Sequence, residues 1–205
     1  KLRAHEDYAD RFDPHIWMVP ELWAEAVRVV TKHLIDLRPE AEGAFQANAA
    51  RHLEQIARLQ SYARDRRPQI PEESRVLISA HDAFGYFGQA FGFDVMGVQG
   101  LSTQSEAGLN RIAELVDVIV ERDIRAVFVE SSVSDRNMRA LIEGAAARGH
   151  QLVIGGELFS DAMGAPGTYE ATYIGMLDHN ITVIAQALGA QVPSRGLNNR
   201  LSVGS

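Results

Sequence analysis

The chain has no cysteine among its 205 residues. That removes disulfides, thiolate zinc sites and a cysteine nucleophile from consideration. It has no stretch approaching the ~18 apolar residues of a membrane span. No charged segment followed by an apolar one opens the chain, so the expectation is either a cytosolic protein or one whose secretion signal has been removed. No cluster of Lys and Arg supplies a phosphate-neutralising face, and the net charge of −7 argues against nucleic acid as a partner. Gly-x-Ser-x-Gly elbows, phosphate loops and Gly-x-Gly-x-x-Gly fingerprints are missing too. What remains is 46% hydrophobic and 23% charged, the composition of a globular protein with a real core.

The order of patterns along the chain points to an α/β fold. From Pro20 to Leu37, Leu22, Ala26, Val29, Val30, His33 and Leu34 recur at three- and four-residue steps, which predicts an amphipathic helix ended by Pro39. Glu42 to Arg66 repeats the pattern with Phe45, Ala49, Leu53, Ile56, Leu59 and Ala63. At 1.5 Å per residue this second helix is roughly 35–40 Å long, the width of a small domain. After the Arg67-Pro68-Gln69-Ile70-Pro71 break, strands are expected at Val76–Ala80, Asp94–Val98, Ala126–Val129 and Leu152–Ile154. Helices are expected at Phe84–Phe91, Glu106–Arg122, Asp135–Arg148 and Tyr173–Leu188. Such alternation implies parallel strands with right-handed crossovers and helices on both faces of the sheet. The tail from Pro193 is polar and expected to be loose. Residues 1–14 show no period.

Three groups then stand out by position. His81 closes the apolar run Val76-Leu77-Ile78-Ser79-Ala80, at the carboxyl end of a strand, where open α/β sheets place their ligand sites. His15 lies in Asp13-Pro14-His15-Ile16-Trp17, in the expected first turn of a helix starting near Pro14 with Asp13 as its cap. Asp161 follows Gly155-Gly156-Glu157-Leu158-Phe159-Ser160 in a glycine-rich loop after a strand. Two imidazoles and a carboxylate form a metal-ligand set. Each also has a plainer reading: a capping histidine, a core histidine bonded to a carbonyl, an aspartate capping its loop. Glu130 ends another strand, where it could ligate directly, hold a ligand histidine through its second ring nitrogen, or with Ser131 and Ser132 cap the next helix, the last two being favoured. Glu157 is a weaker candidate, His179 reads as structural, and His5, His33, His52 and His150 read as surface residues.

Taken in order, Asp13-Pro14-His15-Ile16-Trp17, His81-Asp82-Ala83-Phe84-Gly85-Tyr86-Phe87, Phe128-Val129-Glu130-Ser131-Ser132 and Gly156-Glu157-Leu158-Phe159-Ser160-Asp161-Ala162-Met163-Gly164 resemble the cluster A-I (TroA/ZnuA-like) solute-binding proteins of zinc and manganese ABC importers. Tyr173-Ile174-Gly175-Met176 and His179-Asn180 extend the likeness. The resemblance implies a two-lobed fold. Residues 1–41 would be a remnant of the amino-terminal lobe, 42–67 the long interlobe helix, 72–190 a Rossmann-like carboxyl-terminal lobe with a parallel sheet, and 191–205 a flexible tail. It implies metal ligation by His15, His81 and Asp161, with Glu130 behind them, and a further family histidine that precedes this chain. Zn²⁺ or Mn²⁺ would be the transported ligand and an importer permease the partner. The location would be the periplasm or the outer face of the cytoplasmic membrane, and no catalytic residue is implied. Two departures are visible: Val19-Pro20 follows Met18 where the family usually carries an acidic residue, and the disulfide of some zinc members is absent. Two rival readings remain: a metal-dependent hydrolase with Glu130 or Glu157 as base, and an adhesion or interaction module built on the long helix and acidic surface.

Overall fold

The computed structural model describes residues 2–4, 11–101 and 108–202. Two helices come first, α1 (Pro20–Leu37) and α2 (Glu42–Arg66). Pro20 opens α1 at a position where its missing N–H has no intrahelical partner to lose, and the chain leaves the helix at Arg38, ahead of Pro39. Glu21 near the start of α1 faces Arg64 near the end of α2, so the pair runs antiparallel, and its Trp23, Val27 and Leu53 pack against the core.

The α/β part follows as β1 (Val76–His81), α3 (Gly85–Phe91), β2 (Asp94–Gln99), α4 (Leu109–Glu121), β3 (Ala126–Glu130), α5 (Arg136–Ala147), β4 (Val153–Leu158) and α6 (Tyr173–Ala187). All pairings within the sheet are parallel and the strand order is β2-β1-β3-β4. Alternation along each strand feeds two cores. Leu77 and Phe128 point toward Ile56, Leu59 and Ala63 of α2 and Leu177, Ile181 and Ile184 of α6. Val76, Ile78, Ala80 and Val127 point the other way, toward Leu115 and Ile119 of α4 and Met138 and Leu141 of α5. With helices on both faces, β1 is buried at every residue, which accounts for its unbroken apolar run.

Four expectations need correction. The α1 stripe does not all face inward: Val29 and Val30 are more than half exposed and Leu37 is 77% exposed, while the buried positions are Pro20 and Ala24. An apolar period identifies a face; it does not say what that face meets. The fourth strand is longer than its apolar core suggests, running through Gly155, Gly156 and Glu157 to Leu158. The glycines are therefore strand residues that bring α6 close. A Cβ on Gly155 would sit 2.8 Å from that of Ala187, and one on Gly156 would meet the Val183 side chain. The register against β3 shifts here, Val127 pairing with Ile154 and Phe128 with Gly156. The turn after Pro14 begins only at Ile16, a short 3₁₀ segment Ile16–Met18 preceded by His15. Finally, the tail is docked as far as Ser202. Leu201 is buried, the backbone N–H groups of Leu197 and Asn198 bond to Asp178, and that of Ser202 bonds to Glu170. Its polar composition concealed partners supplied by α6 and by Glu170 just ahead of it. Residues 5–10 and 102–107, which include His5 and Glu106, lie outside the described residues.

Candidate metal centre

The carboxyl ends of β1, β3 and β4 converge on one spot. His81 is the last residue of β1 and Glu130 the last of β3, while Asp161 lies three residues beyond β4. The Asp13–His15 segment closes over them. The three side chains singled out from the sequence meet: His15, His81 and Asp161 each offer a ligand atom, and these atoms lie within 4.8 Å of one another. Asp161 Oδ1 is 3.3 Å from His15 Nε2 and Asp161 Oδ2 is 3.4 Å from His81 Nε2. The two imidazoles cross edge to face, 5.4 Å between centroids.

Those spacings are informative. A well-formed N–H···O bond is shorter, 2.7–3.2 Å. Two ligand atoms each ~2.0–2.1 Å from a tetrahedral metal lie ~3.3–3.4 Å apart, close to the two histidine–aspartate distances, each of which runs to a different Asp161 oxygen. His81 is fully buried, and its Nε2 makes no well-formed hydrogen bond among the described residues, its nearest polar contact being Asp161 Oδ2 at 3.4 Å. A buried nitrogen with so long a contact is poorly satisfied unless something completes it. A cation between these groups would do so.

Each histidine is backed by a carboxylate. Glu130 accepts the His81 backbone N–H through Oε1 at 2.9 Å, and its Oε2 lies 2.6 Å from His81 Nδ1. Of the roles read for Glu130, its contacts with the His81 backbone N–H and Nδ1 match the one behind the imidazole. Asp13 does the same for His15, its Oδ1 accepting from the backbone N–H at 2.9 Å and lying 2.7 Å from Nδ1. Sequence reading assigned Asp13 only a capping role. The signal was available, since an aspartate accepting from the N–H two residues on is a common local turn. Carboxylates at both Nδ1 atoms direct both Nε2 atoms toward the shared centre. Arg3 Nη1 donates to Asp13 Oδ2 at 2.7 Å and the Tyr86 hydroxyl donates to the Asp13 carbonyl at 3.2 Å, a support no sequence pattern announced.

The electrostatics follow from this crowding. Burial pulls His81 down, but Asp161 and Glu130 outweigh it and the ring is pushed up to about 9. His15 is likewise raised against its burial, by Asp13 and Asp161. The two histidines in turn hold the Asp161 carboxyl well below the usual range. The Asp161 carboxylate lies between the two rings, within ion-pair reach of both. Glu157 stays in β4, its carbonyl taking His179 Nε2 at 2.9 Å; His33, His52 and His150 are not part of the cluster.

The site is thus a two-histidine, one-aspartate cluster at the strand ends of a parallel α/β fold. Comparison gives the family. Residues 1–187 match the model of the family described as "Zinc-uptake complex component A periplasmic", and the chain belongs to that family. It is 49% identical over 177 residues to the manganese-binding lipoprotein MntA of Bacillus subtilis, and 46% identical over 177 residues to the zinc-binding protein TroA of Treponema pallidum. Each alignment covers 86% of this chain and 58% of the relative, so the chain spans little more than half the length of those proteins. The solved structure of the periplasmic zinc-binding protein TroA from Treponema pallidum superposes with a TM-score of 0.87 at 44% identity, covering 92% of this chain and 68% of that one.

Proposed function

We propose that this chain is the metal-holding part of an extracytoplasmic solute-binding protein that captures a divalent transition metal, Zn²⁺ or Mn²⁺, for an ABC-type importer. His15 Nε2, His81 Nε2 and an Asp161 oxygen are the ligands, with Asp13 and Glu130 orienting the imidazoles. Residues 72–190 form the lobe carrying His81 and Asp161, and α2 is the helix linking that lobe to a second one. The observation that carries the reading is the convergence of three ligand atoms, from His15, His81 and Asp161, within 4.8 Å of one another at the strand ends. The names of the relatives, one manganese-binding and one zinc-binding, support the choice of metals. Imidazole favours zinc and the carboxylate admits manganese.

Carriage rather than catalysis fits the same geometry. A metal hydrolase needs a free base beside the metal-bound water. Glu130 has one oxygen on the His81 N–H and the other against Nδ1, and Glu157 belongs to β4. No helix among the described residues is long and apolar enough to cross a membrane, and the reading places the protein outside the cytoplasmic membrane. The test is metal content after purification, wild type against Asp161→Ala, by mass spectrometry. The reading expects bound Zn²⁺ or Mn²⁺ in the wild type and its loss in the variant; equal content in both overturns it.

A further inference from the structure

Asp161 is the ligand least held by its surroundings. Its side chain is 39% exposed, and among the described residues its carboxylate meets only the two histidines. It lies beyond the end of β4, where no strand partner continues. The two residues before it are fixed from three directions. The Asn180 side chain, from α6, accepts the Phe159 N–H through Oδ1 at 2.9 Å and donates through Nδ2 to the Phe159 carbonyl at 2.7 Å. The Ser160 carbonyl takes the Trp17 indole N–H at 3.0 Å, and the Ser160 hydroxyl is paired with Ser132 at 3.1 Å. Asn180 is 2% exposed, and its amide makes the two bonds a neighbouring strand residue would make. It extends the ladder of β4 by one pair, up to the residue from which the Asp161 loop departs.

We propose that Asn180 is a positioning residue for Asp161, its amide clasp on Phe159 setting where the carboxylate stands relative to His15 and His81. This rests on the metal-binding reading above. An amide is required because one residue must be both acceptor and donor. Asn180→Asp keeps the shape and the acceptor but turns the donor into a charge facing the Phe159 carbonyl. Asn180→Ala removes both bonds. Misplacement of Asp161 by a fraction of an ångström takes it off the coordination polyhedron while leaving the histidines in place.

The experiment is titration of the metal-free chain with Zn²⁺ and with Mn²⁺ by competition against a chromogenic chelator. It is run on wild type, Asn180→Asp, Asn180→Ala, Asp161→Ala and the double variant Asn180→Asp/Asp161→Ala, with thermal midpoints measured alongside. The expected result is about tenfold or greater weakening for Asn180→Asp and Asn180→Ala. In the Asp161→Ala background, Asn180→Asp should add less than about twofold, because the residue acts through the aspartate. A purely structural Asn180 would lower the thermal midpoint and leave the affinity of the folded variants unchanged, which would overturn the proposal. If Asn180→Ala does not fold, the isosteric Asn180→Asp carries the test. Wild type that takes up neither metal overturns both this role and the metal-binding reading; wild type that binds while the Asn180 variants bind equally overturns this role alone.

Discussion

At the scale of single residues, the centre is a chain of charges: Arg3, Asp13, His15, Asp161, His81, Glu130. The first prediction concerns its far end. Glu130→Gln removes the negative charge that fixes the His81 ring while keeping its volume, and should weaken metal binding by about 10–100-fold. Calorimetric titration checks it; unchanged affinity would mean that Glu130 is only packing. The second prediction is pH dependence. Metal and protons compete for the histidines, and His81 in the metal-free protein sits at about 9. Apparent affinity should therefore keep rising from pH 7 to 9 instead of levelling just above the ordinary histidine value of 6.5. Proton release on binding, read from calorimetry in buffers of different ionisation enthalpy, measures it directly. His81, His15 and Asp161 were legible because each stands at the end of a strand or the start of a turn, where sequence punctuation is strong. Arg3 and Asn180 were not: their partners are 10 and 21 residues away or more, and nothing local to either residue marks such contacts.

At the scale of elements, the β4–α6 contact depends on the absence of a side chain at Gly156. Gly156→Ala should push Cβ into Val183 and cost about 1–3 kcal/mol, seen as a lowered thermal midpoint. A neutral result would show that α6 adapts. The same pair shows where reading the chain falls short. Val76–His81 was recognisable because a strand buried on both faces is apolar throughout, whereas Gly155-Gly156-Glu157 resembles a loop. Only the proximity of α6 makes glycine the right strand residue there. Helices α1 and α2 were readable to their ends because Pro39 and Pro68 punctuate them. The solvent exposure of Val29, Val30 and Leu37 was not, since a hydrophobic period is blind to what covers it. In this chain Leu37→Gln should change stability by no more than about 0.5 kcal/mol, as expected of a side chain in water. A larger loss would reveal a contact that the fold does not show.

At the scale of the molecule, two linkages act in opposite directions. His81 is raised in the folded chain, so its contribution to metal-free stability is complete below pH 6.5 and fades as the pH rises through about 9. Asp161 is lowered, so its contribution is present above its ordinary value of 3.8 and fades on acidification. For these groups, the metal-free chain should be most stable between those two limits. Metal reverses the alkaline trend by occupying the nitrogens that protons leave, so the thermal shift produced by Zn²⁺ should be larger at pH 8 than at pH 6. All of this rests on where the ion sits. The most direct measurement is anomalous diffraction from crystals grown with Zn²⁺ or Mn²⁺. The account predicts one peak about 2.0–2.2 Å from His15 Nε2, His81 Nε2 and an Asp161 oxygen. A peak away from these three atoms, or none at all, would contradict it.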